Sequence, residues 1–260
     1  MKLIKCILPL ATVPFLLACE PPSKDSTEIE TSRIYAEIKI ENSGSDYTEV
    51  KVDLKEGHDF GSSIKLVEGE RITASFKDQF IILREDEDLL DIDYEGNLYT
   101  GDAGGKVTVV LERVDGERVQ SEVFLPEPFE VTSPGYGYHF EEHEIVDVLW
   151  RYSLPSNLIA LHAELGCTAY DDGETDHETE NETWLVDDDG LSDVSIPKLV
   201  SNLENELDWE DDVLKRPQTC DMIIDLTREN LGGIATEFDN ESFIQAKQAR
   251  YIKGLEVRLN

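Results

Sequence analysis

The chain has 260 residues, and its 57 acidic side chains against 23 basic ones give a formal net charge of −34. This length suggests one or two domains once any processed segment is removed. Such an acidic surface opposes binding to nucleic acid or to anionic lipid headgroups through charge. We therefore predict no nucleic-acid partner.

The N-terminus has the pattern of an export signal. Lys2 and Lys5 precede an uncharged stretch from Cys6 to Leu17. This stretch is too short for a bilayer-spanning helix, which needs about 20 apolar residues. A positive start, a short apolar middle and a small residue before cleavage predict a signal peptide over residues 1–18.

The run Leu16-Leu17-Ala18-Cys19 closely resembles the lipobox of bacterial lipoproteins. The resemblance implies cleavage before Cys19, a lipid on its thiol and acylation of the new amine. Two or more buried chains would hold the protein firmly on a membrane. The residue after the cysteine is Glu20 rather than the aspartate of inner-membrane retention, which favours the outer membrane. The alternative is an ordinary signal peptide that happens to contain a cysteine.

The four cysteines can be assigned by position. Under the lipoprotein interpretation Cys6 leaves with the signal and Cys19 carries lipid, so Cys167 and Cys220 remain. Two cysteines in an oxidising compartment allow one pairing. Closing this loop would stabilise the fold by about 4 kcal/mol. Two unpaired buried thiols are the alternative, and no cofactor is predicted.

A flexible linker and a β-rich domain follow in chain order. Residues 19–32 comprise the lipidated cysteine and a polar, Pro-containing tether. Residues 33–127 then contain apolar residues that alternate with polar ones, as in half-buried strands. These alternating positions are Ile34, Ala36, Ile38, Ile40, Val50, Val52, Leu54, Ile72, Ala74, Phe76, Val107, Val109, Leu111, Val119, Val123 and Leu125. Asp115-Gly116 between the last two runs predicts a hairpin, and the strand spacing predicts an antiparallel sandwich.

A second β-rich domain is predicted over residues 128–260. Pro126 and Pro128 mark the boundary, because two prolines so close disfavour a central strand. The best strands lie at residues 145–152, 158–165 and 222–226 and at the C-terminus, with one short helix after Pro197 and Ser195 near its N-cap. Between them the acidic stretch Asp171–Asp193 is predicted to be a long solvated loop interrupted by Trp184-Leu185-Val186.

This second domain resembles the Ig-like and fibronectin-type sandwiches that follow lipobox tethers in many exported bacterial proteins. The residues that carry the resemblance are Thr132-Ser133-Pro134-Gly135 entering a strand, Trp150 in an early strand and Arg250-Tyr251 in the closing strand. Unlike the tryptophan of antibody domains, Trp150 precedes both cysteines. The predicted fold class is all-β, with two antiparallel Ig-like β-sandwich domains.

The segment His139–His143 is a candidate metal set. On a strand, His139, Glu141 and His143 would share one face, because side chains alternate. Two imidazoles and a carboxylate are plausible ligands for a transition metal. Phe140 stands where a zinc-protease motif needs glutamate, so that motif fails. A solvated strand entrance on an acidic surface is the favoured interpretation.

The segment Asp91–Asp102 resembles the start of an EF-hand calcium loop. Asp91, Asp93 and Glu95 occupy alternate ligand positions, and Gly96 stands at the turn. Asp102 replaces the usual bidentate glutamate, and no flanking helices are visible. The alternative, which we favour, is a β-hairpin with Gly96-Asn97 in its turn.

We find no catalytic motif in the sequence, and in particular no Gly-x-Ser-x-Gly elbow. The leading prediction is a membrane-anchored envelope lipoprotein that acts as a non-enzymatic binding or structural module, with a protein or glycan partner. Loops at one end of a sandwich, here Asp171–Asp193, are where binding would occur. One alternative is a metal-dependent or glycan-processing enzyme that uses His139–His143 or the acidic loop. A second is a calcium-stabilised adhesion module.

Overall fold

The computed structural model describes residues 23–87, 91–101, 103–151, 157–171, 174–207 and 217–259. The strands are β1 Lys24–Asp25, β2 Ile34–Asn42, β3 Tyr47–Glu56, β4 Ile64–Lys65, β5 Arg71–Phe76, β6 Gln79–Ile82, β7 Arg84–Glu87, β8 Ile92–Tyr99, β9 Gly105–Glu112, β10 Arg118–Leu125, β11 Glu130–Ser133, β12 His139–Glu141, β13 Ile145–Arg151, β14 Leu158–Asp171, β15 Glu174–Asp187, β16 Leu191–Ser195, β17 Thr219–Leu231 and β18 Phe243–Arg258. The helices are two 3-10 turns, Ser26–Glu28 and Thr31–Arg33, and α1, Ile196–Leu207. The prediction of an all-β fold with one short helix is confirmed.

Three of the sheets build two β-sandwiches, and the largest sheet contributes strands to both. A nine-stranded sheet has the order β15-β14-β17-β18-β2-β3-β8-β7, with β12 added to β18. The four-stranded sheet β10-β9-β5-β6 packs with β2, β3 and β8 around a first hydrophobic core. The three-stranded sheet β11-β13-β16 and α1 pack with β14, β17 and β18 around a second core. In β5, β10 and β13 the alternating burial follows from the apolar–polar alternation of the sequence.

The last strand belongs to both sandwiches. The first part of β18, Phe243–Gln248, pairs in parallel with Glu37–Asn42 of β2, and β18 pairs along its length with β17. Ile244 lies in the first core, whereas Val257 lies in the second. Apart from Ala235, Phe238, Ile244 and Ala246, the buried residues of the first core precede residue 127, and those of the second core follow it. The segment that leads into β18, with Ala235, returns to the first core.

The segment before β2 is packed rather than flexible. Lys24 of β1 pairs with β4, and Arg113 holds the residues that follow. Its Nη2 donates to the carbonyls of Ser26 (2.7 Å) and Ile29 (3.1 Å), and its Nε donates to Glu70 (2.9 Å). The flexible-linker prediction is therefore wrong for residues 24–32. Residues 19–22 lie outside the described part of the chain.

The acidic insertion forms a strand where a loop was predicted. Glu174–Asp187 pairs residue by residue with β14 in a long antiparallel hairpin. Trp184 and Val186 of this strand pack against the second core. The loop prediction is therefore wrong for β15, because the main-chain hydrogen bonds of a hairpin do not depend on an apolar face. Among the described residues, no helix is both long and apolar enough to cross a membrane.

A buried ion pair of the second sandwich lies beside the connection between the two sandwiches. Arg228 donates from Nε to Asp188 Oδ2 (2.6 Å) and from Nη2 to Asp188 Oδ1 (2.8 Å). Trp150 Nε1 also donates to Asp188 (2.8 Å), and Arg228 Nη1 donates to the carbonyl of Glu127 (2.9 Å). The guanidinium of Arg228 lies 4.6 Å from the centre of the Phe129 ring. These contacts fix the connection between the sandwiches to the second core.

Candidate ligand-binding cleft at the junction

A cleft of about 720 Å³ opens where the two sandwiches meet. One wall is Ser43 and Gly44, in the turn between β2 and β3 of the first sandwich. The other wall is the loop between β11 and β12, and the floor comes from β18 and the start of β11. The second-sandwich residues that line the cleft are Phe129, Glu130, Val131, Pro134, Gly135, Tyr136, Arg250, Tyr251, Ile252 and Lys253. Clefts between domains are common positions for small-molecule sites.

Arg250 fixes the geometry of the floor. Its Nε donates to the carbonyl of Phe129 (2.9 Å), and its Nη1 reaches the carbonyl of Asn42 (3.4 Å) in the first sandwich. The guanidinium lies 5.2 Å from the centre of the Phe129 ring. Gly44 has φ +93°, and a Cβ there would lie 3.4 Å from the Arg250 side chain. Arg250 therefore connects the first-sandwich wall of the cleft to the residue that leads into β11.

Tyr136 is an exposed tyrosine of the cleft whose ring contacts the main chain of β18. It is 87% exposed, yet its ring lies against Gly254, which has φ +70°. A Cβ on Gly254 would lie 2.6 Å from Cε2 of the ring, closer than atoms can approach. One edge of the ring therefore rests on main chain, and the remainder is available to a ligand.

Tyr251 and Lys253 project from β18 beside this ring. Tyr251 Oη donates to Glu41 Oε1 (3.2 Å), and Lys253 Nζ lies 5.4 Å from the centre of the Tyr251 ring. Burial raises the pKa of Tyr251, and the negative charge of Glu41 raises it further. The phenol is therefore protonated at neutral pH and able to act as a donor.

A polar row leads across the open face of the large sheet to this tyrosine. Thr183, His162, Asp225 and Tyr251 lie directly opposite one another on β15, β14, β17 and β18. His162 Nδ1 and Thr183 Oγ1 are 2.9 Å apart, and Thr227 donates to Asp225 (3.2 Å). Burial raises the pKa of Asp225, while His162 partly offsets the shift. The row is a set of cross-strand polar pairs, and it contributes Tyr251 to the cleft.

The predicted metal set at His139–His143 does not assemble. Strand β12 ends at Glu141, and His143 lies in the following turn, so the alternation that would align the three side chains is lost. His139 Nδ1 instead lies 3.2 Å from Glu256 Oε1. Among the described residues, the one group of three candidate ligands within 4.8 Å is Asp86, Asp93 and Glu95.

The predicted calcium loop and the alternative hairpin are both wrong for the described residues of this segment. Ile92–Tyr99 is one continuous strand, β8, paired with β3 and β7, and an extended strand cannot wrap its side chains around one ion. Asp91 receives hydrogen bonds from Ser63 and from the backbone of Ile92. Lys51 contacts Asp93 of the acidic group, so the chain itself supplies a cation there. Asp102 lies outside the described residues.

The Cys167–Cys220 disulfide is present in the structure. The two residues lie opposite each other on β14 and β17, with Cα atoms 4.4 Å apart. Cys19, the predicted lipidation site, lies outside the described part of the chain.

Sequence reasoning missed the residues of the cleft. Tyr251 was named only as part of the closing strand, and Tyr136 and Lys253 were not singled out. Tyr136 is far in the chain from the other two. The one available signal was Pro134-Gly135-Tyr136-Gly137-Tyr138, a turn-forming segment that carries two tyrosines. Exposed aromatic residues in a Gly/Pro turn are candidates for a binding surface.

No family model matches the chain, and the comparison with curated proteins finds no match. Among solved structures, a tandem pair of titin Ig domains is 9% identical, covers 89% of this chain and 98% of its own, and has a TM-score of 0.26. The fibronectin(III)-like modules of Clostridium thermocellum CbhA are 8% identical, with 84% and 94% coverage and a TM-score of 0.20. SGBP-B of the Bacteroides ovatus mixed-linkage glucan utilization locus, in complex with a mixed-linkage heptasaccharide, is 12% identical, with 98% and 69% coverage and a TM-score of 0.19. We transfer no ligand or activity from these similarities.

Proposed function

We propose that this chain is a lipid-anchored protein of the bacterial cell envelope that binds a glycan or protein ligand, without catalysis, in the cleft between its two sandwiches. The observation that carries the proposal is that residues from both sandwiches build the cleft. Arg250 contacts the carbonyls of Phe129 and Asn42, and the guanidinium of Arg228 packs against the Phe129 ring. Such preorganisation reduces the ordering cost that a ligand must overcome.

The packed N-terminal segment supports a defined position relative to the membrane. Only residues 20–23 separate the proposed lipid on Cys19 from β1, so Cys19 and Lys24 are at most about 17 Å apart. Strand β2 begins just after the packed segment and runs for 9 residues to the turn that forms one wall of the cleft. At about 3.3 Å per residue this is about 30 Å. The cleft therefore lies at the far end of β2 from the proposed tether, about 30 Å along the strand.

Anchoring is tested by mass spectrometry of the native N-terminus and by fractionation of a Cys19→Ala variant. We expect a diacylated Cys19 in the wild-type protein, in the outer-membrane fraction, and release of the variant into the soluble periplasm. An unmodified N-terminus, or retention of the variant in membranes, would contradict the anchoring proposal.

The binding role is tested by a photo-reactive benzoylphenylalanine placed at position 136 and, as a matched control, at position 60. Phe60 is 88% exposed and lies in the turn after β3, at the opposite end of the first sandwich. After irradiation in cells, we expect a discrete adduct from position 136 and none from position 60. The same yield from both positions, or no adduct from position 136, would count against the cleft.

A further inference from the structure

We propose that the ligand of this cleft is a short saccharide that carries a carboxylate, with Lys253 as the residue that recognises the acid. This inference rests on the proposed binding function of the cleft and specifies its ligand class. The observations behind it are the charges around Lys253 and the contacts of Tyr136 and Tyr251.

Lys253 lacks a carboxylate contact, which is unusual in this protein. Among the lysines of the described residues, all except Lys77 and Lys253 lie within 4.0 Å of a carboxylate; they are Lys24, Lys39, Lys51, Lys55, Lys65, Lys106, Lys198 and Lys247. The described contact of Lys253 is the face of the Tyr251 ring. In a chain with a net charge of −34, acidic partners are abundant. The ammonium of Lys253 lines the cleft and has no carboxylate partner among the described residues, so it is available for an anion from solution.

The two tyrosines suit a saccharide. A sugar ring presents C–H groups on its faces and hydroxyls at its edge, and tyrosine offers an apolar face with a polar tip. Tyrosine also supplies contact area at a low conformational cost, because it has only two χ angles. The Tyr136 ring lies against the main chain at Gly254, and Tyr251 donates a hydrogen bond to Glu41.

Size and charge limit the saccharide to a short one with few acids. A cleft of about 720 Å³ lies within the range of about 300–1,000 Å³ of small-molecule sites. The negative field of the whole chain repels a long polyanion, whereas a single carboxylate can form a charge-assisted hydrogen bond with the ammonium. A peptide that ends in a carboxylate also meets the charge requirement, and it is therefore one of the outcomes that the experiments distinguish.

The test is isothermal titration of the purified mature protein against short oligomers of galacturonate, mannuronate and glucuronate-N-acetylglucosamine, each beside its carboxyl-reduced counterpart. We expect at least one acidic oligomer to bind about ten- to a hundred-fold more tightly than its reduced form. Lys253→Met should abolish this preference, and Lys253→Arg should keep it. The control is Lys77→Met, because Lys77 is the other described lysine that contacts no carboxylate. This variant should leave the preference unchanged.

Equal affinity for the acidic and reduced forms, no binding by any acidic oligomer, or an unchanged preference in Lys253→Met would overturn the inference. The photo-crosslinking experiment separates this failure from failure of the cleft itself. A peptide adduct at position 136 would keep the binding function and remove the saccharide, whereas no adduct would remove both.

Discussion

Arg228 and Asp188 form a two-pronged ion pair inside the protein, with 6% and 0% of their side chains exposed. Asp188 is adjacent to the end of β15, and Arg228 lies on β17 next to the chain that crosses from the first sandwich to the second. The pair therefore connects the local packing of the second core to the geometry of the junction, and hence to the cleft.

Removing Asp188 is expected to destabilise the protein strongly. Asp188→Ala leaves the guanidinium of Arg228 and the indole N–H of Trp150 buried without their acceptor, and breaking such a pair costs about 3–5 kcal/mol. The free energy of unfolding in urea measures the loss. Arg151→Ala, at a surface pair that is 77% and 64% exposed, should change it by less than about 1 kcal/mol. A loss of that small size in Asp188→Ala would refute the role of the pair.

The disulfide is expected to stabilise the second sandwich. Cys167 and Cys220 are separated by 53 residues, and closing a loop of this size contributes about 4 kcal/mol by restricting the unfolded chain. A Cys167→Ala/Cys220→Ala variant should lose about this amount at pH 7 in denaturant titrations. The wild-type protein with reducing agent should approach the same value. If reduction leaves the unfolding midpoint where it was, the disulfide contributes little.

Glu70 should make the packing of the N-terminal segment depend on pH. Burial by itself would raise the pKa of Glu70, but hydrogen bonds from Ser26, Arg113 and the backbone of Val114 outweigh it and lower the pKa. A carboxyl with a lowered folded pKa stabilises the fold above its unfolded pKa, about 4.3. This contribution is lost as the pH falls through the folded value.

Glu70→Gln should therefore lower the free energy of unfolding at pH 7 by about 1.5–3 kcal/mol, and the difference should shrink below about pH 4. Limited proteolysis should cut residues 24–33 faster in the variant. Glu68→Gln, two residues earlier and exposed, is the control. A deficit that persists unchanged at pH 3 would show that the carboxylate charge is not responsible.

Asp225 should have the opposite pH dependence. Its pKa is raised by burial, so the folded state holds the proton more tightly than the unfolded state does. Ionisation of Asp225 therefore costs stability as the pH rises above its unfolded pKa of about 3.9. Asp225→Asn should melt at a higher temperature than the wild type at pH 7, with the gain fading near pH 3. Asp221→Asn on the same face of β17 is the control, and a destabilised Asp225→Asn at pH 7 would contradict the assignment.

Gly254 should be required for the position of Tyr136. Gly254→Ala places a methyl group against the ring and puts an L-residue at φ +70°, a conformation that costs about 1–2 kcal/mol. We expect a lower melting temperature and weaker ligand binding than in wild type. Gly116→Ala, which has φ +91° but nothing within 4 Å of the added carbon, should share the first effect and not the second. Equal binding by both variants would show that the ring is not held by Gly254.

Several elements were predictable because their signals are local. Apolar residues at every second position of β2, β3, β5, β9 and β10 determine which face of each strand is buried, whatever the partner strand. Asp115-Gly116 marks its hairpin with two adjacent residues, and Gly116 has the positive φ that the turn needs. The pairing of Cys167 with Cys220 followed from their number once two other cysteines had been assigned to the N-terminal signal.

Other elements depend on partners distant in the chain. Residues 174–187 have too few apolar side chains to predict a strand, and their hydrogen bonds come from the register with β14. The segment Ser26–Arg33 is held by Arg113, more than 80 residues away, which no reading of its own composition indicates. Gly96-Asn97 has turn chemistry but lies inside a strand, because both residues pair with β3, opposite Val50 and Glu49.

By itself the sequence determined the all-β class, the faces of the apolar strands and the one disulfide that export would permit, because alternation and cysteine number are properties of neighbouring or countable residues. Only the tertiary structure decided the cleft. It brings Gly44, Phe129, Tyr136 and Lys253 together because β18 runs through both sandwiches. The pairing of β18 with β2 joins residues about 200 positions apart. The alternation within each strand does not indicate which strand will be its partner.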